Sequence, residues 1–84
     1  MQVIKKTGID WLMAMSRLSI GSFFLLNILY RHDIEISDHA MMEISGLGLS
    51  THRKHKKELI DCKYLAITQV GRGEYQYTIS NGDI

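Results

Sequence analysis

Residues 46–59, GLGLSTHRKHKKEL, constrain this chain more than any other stretch. They hold a helix stop, a tight corner, a helix start and a basic run in quick succession. Gly46 has no Cβ, so it can take the left-handed backbone that closes a preceding helix. Ser50 offers a side-chain oxygen to the free N–H groups of a new first turn, with Thr51 as the second choice of cap. Leu47 and Leu49 supply apolar contacts to hold the corner. His52, Arg53, Lys54, His55, Lys56 and Lys57 then precede the apolar pair Leu59 and Ile60. The pattern predicts two helices joined by a short turn, the second suited to a polyanion.

Helical geometry sharpens that expectation. At ~100° per residue, Ile60, Lys56, His52 and His55 all fall within about a right angle of Leu59. The core-facing stripe is therefore apolar only in its C-terminal half. A helix seated on a core along its whole length would not be written this way, because an unpaired buried charge is costly. A helix whose first two turns project into a groove would be.

Composition narrows the class. Eighty-four residues make a single small domain, spanning 1–84, with a core near the lower limit for a monomer. The net charge is only +1, so the global balance does not argue for nucleic acid. Its distribution says more. Arg53, Lys54, Lys56 and Lys57 are four of the ten basic residues, whereas Asp33, Glu35, Asp38 and Glu43 make the preceding stretch acidic. Such a polarised chain orients in the field of a polyanion. The single cysteine, Cys62, cannot form an intrachain disulfide, which points to an intracellular, cytoplasmic protein. The most apolar run, 18–30, is too short to span a bilayer and contains Asn27. Asp10 and Arg17 interrupt the run after Lys5-Lys6, which argues against a secretory leader.

Taken in order, residues 1–8 read as a basic arm or an extended lead-in. Residues 9–31 read as one bent helix or two, with Ser19 placed to cap a second start and Gly21 weakening the continuity. Ile34-Glu35-Ile36 alternates like a very short strand. Ser37 caps a helix over 38–45. After the basic helix, over 50–61, residues 64–70 and 74–79 form two strands around Gly71-Arg72-Gly73. Tyr75, Tyr77 and Ile79 share one face of that hairpin. Residues 80–84 read as a loose tail. The order is that of an α+β fold, a winged helix-turn-helix of three to four helices with a C-terminal β-hairpin wing.

The run MMEISGLGLSTHRKHKKELIDCKYL, followed by GRGEYQY, resembles the winged helices of bacterial, plasmid and phage regulators. It is similar to MarR-like transcription regulators and to RepL-like plasmid replication proteins. Ile44, Gly46, Leu47, Ser50, Thr51, Lys57, Glu58, Leu59, Ile60, Tyr64 and Leu65 carry the likeness, with Trp11-Leu12 adding to the second. His55 and Lys56 depart from it, standing where those families carry small or apolar residues. Lys63 replaces a frequent glycine. The resemblance implies double-stranded DNA as partner, with the basic helix in the major groove. Ser50 and Thr51 would contact phosphate near the helix start. His52, Arg53, Lys54 and Lys57 would meet bases or backbone, and Arg72 would reach from the wing. It covers roughly residues 11–80 and implies a transcription regulator, with a replication initiator or accessory factor as the alternative. A protein-binding winged helix is a further alternative, which the basic run 53–57 argues against.

Other chemistry has less support. His52 and His55 have metal-compatible spacing, but nothing forces His39, Cys62 or His32 to complete a site. Cys62 has opposing neighbours in Asp61 and Lys63 and reads as core. No nucleophile elbow or paired catalytic carboxylates are present, and GRG is a turn rather than a phosphate loop. The expectation is a non-enzymatic protein without cofactor, metal or small-molecule ligand. The apolar stretch 9–18, with Trp11, Met13 and Met15, exceeds the needs of one small core and suits a homodimer interface.

Overall fold

The apolar run after Leu18 becomes a half-buried helix on which the other three helices pack. In a computed structural model, which describes residues 3–34 and 36–82, the order is β1 (Lys5–Lys6), α1 (Trp11–Arg17), α2 (Ile20–Tyr30), α3 (Asp38–Ser45), α4 (Leu49–Asp61), β2 (Leu65–Gly71) and β3 (Glu74–Ile79). Among the described residues this is an α+β arrangement of four helices and a three-stranded sheet. No helix there is long and apolar enough to cross a membrane.

The stretch 9–31 forms two helices. Asp10 caps α1 by accepting the Met13 N–H at 3.0 Å. The chain then extends through Leu18 and Ser19 before α2 begins, so the break precedes Gly21. Leu25, Leu26 and Leu29 of α2 are fully buried with Met41 of α3, Leu59 of α4 and Ile79 of β3. Each such leucine contributes about 2 kcal/mol of transfer free energy. Ser37 caps α3 as its residue type predicts, accepting the Ala40 N–H at 3.1 Å.

Three readings, two at the ends of the described chain and one in its middle, are revised. Of the two readings of the N-terminal segment, an arm or an extended lead-in, Lys5–Lys6 take the extended one. β1 pairs in parallel with β3, Lys5 against Thr78 and Lys6 against Ile79, and Ile4 is buried. Lys6 Nζ donates to the carbonyls of Tyr30 and His32 at 2.7 and 2.9 Å, placing a cation at the negative end of α2. The strand expected over 34–36 is only a bridge from Ile34 to Val3, and Glu35 lies outside the described residues. The tail is anchored through residue 82. Ser80 donates its N–H to Tyr64 and its hydroxyl to Lys63, Asn81 accepts the Asp10 N–H, and Gly82 packs on the Tyr64 ring.

β2 and β3 form an antiparallel hairpin with Leu65 opposite Ile79 and Ile67 opposite Tyr77, and its register shifts between Gln69 and Gly71. The sheet order is β1-β3-β2. Tyr77 and Ile79 reach the core, but Tyr75 lies exposed beyond its edge. Between α4 and β2, Lys63 takes φ +68°. A side chain there costs about 1–2 kcal/mol relative to a residue without Cβ, and glycine's greater unfolded-state freedom offsets part of that gain. Lys63→Gly is therefore expected to stabilise the fold by roughly 1 kcal/mol. Lys63→Val should lower the urea midpoint, because a β-branched residue fits that backbone worse.

Candidate nucleic-acid interface

The corner between α3 and α4 forms as the glycine pattern requires. Gly46 adopts φ +75° and donates its N–H to Met42 at 2.8 Å. The start of α4 differs from the sequence reading. Gly48 occupies the cap position without a side-chain bond, and Ser50 lies inside the first turn. Leu47 is half-buried, whereas Leu49 is largely exposed and does little to hold the corner.

Helical spacing sorts the side chains of α4. Ser50, Arg53, Lys54, Lys57 and Asp61 fall at the i, i+3, i+4, i+7 and i+11 positions of one stripe, and all are exposed, as is Thr51. Lys57 lies 3.7 Å from Asp61, but both are well solvated and the pair contributes little. Arg53 and Lys54 make no ion pair among the described residues. Arg72 is exposed at the hairpin tip. Ser50, Thr51, Arg53, Lys54, Lys57 and Arg72 carry donors that suit phosphate oxygens or base edges.

His52 is the correction. It is fully buried, so it offers no surface for a base or a phosphate. Its Nε2 lies 2.9 Å from Asp38 Oδ1, and since an ionised carboxylate only accepts, Nε2 donates. Its Nδ1 finds no partner among the described residues. One turn later Lys56 donates to the same Asp38 oxygen at 2.9 Å and to the Tyr77 hydroxyl at 3.1 Å. The Lys56 ammonium also stands 5.4 Å from the Tyr77 ring centre, within cation–π reach. Lys56 therefore turns inward, supported by β3, rather than snorkelling to solvent.

A second polar seat holds the opposite flank. Ser19 donates its hydroxyl to Glu58 Oε1 at 2.7 Å, and its N–H to the same atom at 3.3 Å. Ser22, fully buried, meets His55 Nδ1 at 3.1 Å. Ser19 thus occupies the cap position of α2, as expected, but makes no side-chain bond to that helix's first-turn N–H groups. The hydroxyls of Ser22 and Ser19 hold the Glu58 carboxyl below the usual glutamate range. None of these partners was visible in the sequence. The signal was the placement of His52, His55 and Lys56 on the Leu59 side, which demands polar acceptors without naming them.

A separate cleft of about 410 Å³ is lined by Trp11, Asn27, Tyr30 and Arg31 and shares no residue with α4. Among the described residues, no three His, Cys, Asp or Glu side chains converge on a metal-sized site.

For Asp38, desolvation raises the pKa, but hydrogen bonds from Lys56 and His52 outweigh it and hold the carboxyl below its ordinary value of 3.8. The stability this contributes is full above the unfolded-state pKa and is lost as pH falls through the lower, folded value. The gap in urea midpoint between the wild type and Asp38→Asn should therefore be constant near neutrality and shrink below about pH 4. For Lys56, burial lowers the pKa, while hydrogen bonds to Asp38 and Tyr77 prevail and raise it. Its contribution is present below the unfolded value and is lost as pH rises through the folded one. His52→Ala should cost about 2–4 kcal/mol in equilibrium unfolding, the effect of emptying a packed site.

Compared with protein-family models, curated proteins and solved structures, the chain matches none.

Proposed function

We propose that this chain is a sequence-specific double-stranded DNA-binding protein of a bacterial, plasmid or phage system, acting as a small transcription regulator. In this reading the fold is a winged helix, α3 and α4 are its helix-turn-helix, α4 enters the major groove and the hairpin is the wing. The observation that carries it is the sorting of charge on α4. Arg53, Lys54 and Lys57 share the exposed stripe, while the nearby carboxylates are engaged inward, Asp38 by His52 and Lys56, Glu58 by Ser19. Only Asp61 shares that stripe, at its C-terminal end. A molecule of net charge +1 thereby gains a cationic ridge suited to a phosphate-lined groove.

Roles follow from side-chain chemistry. The Arg53 guanidinium can satisfy two acceptors on one guanine edge, whereas Lys54 and Lys57 are point charges suited to phosphate. Ser50 and Thr51 near the start of α4 serve the backbone, as does Arg72 from the wing. His52 has no place in this set. A replication initiator or accessory factor would use the same surface for a different process.

A second copy is part of the proposal. Leu12, Met15, Ile20 and Phe24 are 75%, 55%, 90% and 48% exposed, and the sequence of α2, IGSFFLLNILY, carries no charge. The pairing surface thus continues beyond 9–18 onto the start of α2. Two-fold association would supply the contact area that one small module lacks and set half-sites ~10 bp or a multiple apart.

Selection of genomic fragments with the purified protein, followed by footprinting, tests the reading. A symmetric protected site is the expected outcome. Retention of an unrelated protein with little salt dependence, and no duplex selected, would support an interaction module instead. On the selected site Arg53→Ala should cost about 1–3 kcal/mol and relax discrimination at one base pair. Lys57→Ala should weaken all sequences alike and reduce the salt slope by roughly one per subunit. Sedimentation should give a dimer on DNA, and Ile20→Glu a monomer.

A further inference from the structure

The contact between α2 and α4 contains an exchange of volume between two positions. A Cβ built on Gly21 would stand 2.2 Å from His55 Nε2, 2.5 Å from Cε1 and 2.7 Å from Cδ2. The first distance is about 1.3 Å short of ordinary carbon contact at ~3.5 Å. The imidazole therefore occupies the space that any other residue at position 21 would fill. Gly21 lies in the first turn of α2 with φ outside the left-handed region, so backbone conformation does not require glycine there. Space does.

The ring is fixed as well as accommodated. Ser22 is fully buried and lies 3.1 Å from His55 Nδ1 and 3.3 Å from the His55 carbonyl. Ser19 adds a longer approach to Nδ1 at 3.4 Å. One turn on, Glu58 is held by Ser19. A wedge in a slot with hydrogen bonds on one edge sets both the separation of two helices and the rotation of the helix that carries it. Arg53 and Lys57 stand on the opposite, exposed side of the same turns, and Lys54 flanks the seat beside Ser19, His55 and Glu58, so a shift of the wedge that moves α4 moves all three.

We infer that Gly21 and His55 are positioning residues that set the pose in which α4 presents its cationic ridge, without touching DNA themselves. This rests on the DNA-binding reading for its consequence, though not for the joint itself. A binding surface tolerates displacements of only about 0.5 Å before its contacts loosen. Moving the ring out of its slot is expected to exceed that limit.

The test is a double-mutant cycle, Gly21→Ala, His55→Ala and the pair together, read by thermal midpoint and by affinity for the fragment selected with the wild type. Gly21→Ala should lower affinity at least tenfold. The double variant, in which the new methyl meets no ring, should recover to within threefold of His55→Ala alone and melt above Gly21→Ala. If Gly21→Ala does not fold, the double variant must fold and bind, and its failure to do so overturns the inference. Additive effects on both readouts overturn it too, as does wild-type affinity in Gly21→Ala, which would mean the imidazole swings aside and α4 stays in place. Should the wild type select no duplex, the DNA reading fails, and the non-additivity of the midpoints alone decides the joint.

Discussion

The arrangement depends first on the Asp38 carboxylate. One of its oxygens accepts from His52 Nε2 and from Lys56 Nζ, each at 2.9 Å. That oxygen joins the first turn of α3 to two of the inward-facing polar residues of α4 and, through Lys56 and Tyr77, to β3. Its position at the start of α3 also places negative charge at the positive end of that helix. Without it, a fully buried imidazole and a mostly buried ammonium would each face the interior with one partner fewer. Leaving such groups unpaired costs far more than an exposed ion pair contributes.

The opposite flank of α4 uses neutral hydroxyls for the same purpose, with Ser19 and Ser22 holding Glu58 and His55. A helix rich in charge is thereby seated on polar contacts as well as on the buried Leu59. Its inward groups are hydrogen-bonded and its outward groups are left to solvent. Hydrogen bonds depend steeply on distance and angle, so such a seat fixes rotation about the helix axis more tightly than leucine packing would. The basic character of the exposed stripe and the rigidity of the helix beneath it therefore share one origin.

Legibility in the sequence followed the range of the interaction. Gly46, Ser37 and the Gly71-Arg72-Gly73 turn act within a few residues, and their structures agree with what their residue types predict. Lys63 was visible as an unusual residue after a helix, and it does take a left-handed backbone. The cap of α4 was misplaced because Ser50 is the better capping residue, yet Gly48 stands where the turn returns to helix. β1 escaped notice because two lysines in a parallel pair draw their order from a distant strand, not from their own propensity. His52 was legible as core-side but not as bonded, since its acceptor belongs to another helix.

The parallel pairing of β1 with β3 brings together segments from opposite ends of the described chain, and β3 occupies the centre of the sheet. During synthesis β1 emerges before β3, so their parallel pairing cannot form until β3 follows. Lys5 and Lys6 acquire their strand partners, Thr78 and Ile79, only then. The helices can collapse beforehand, but the sheet closes as a late, non-local event of the kind that slows folding. Until that moment the core lacks Tyr77 and Ile79, and the interval between the synthesis of β1 and that of β3 sets how long it does so.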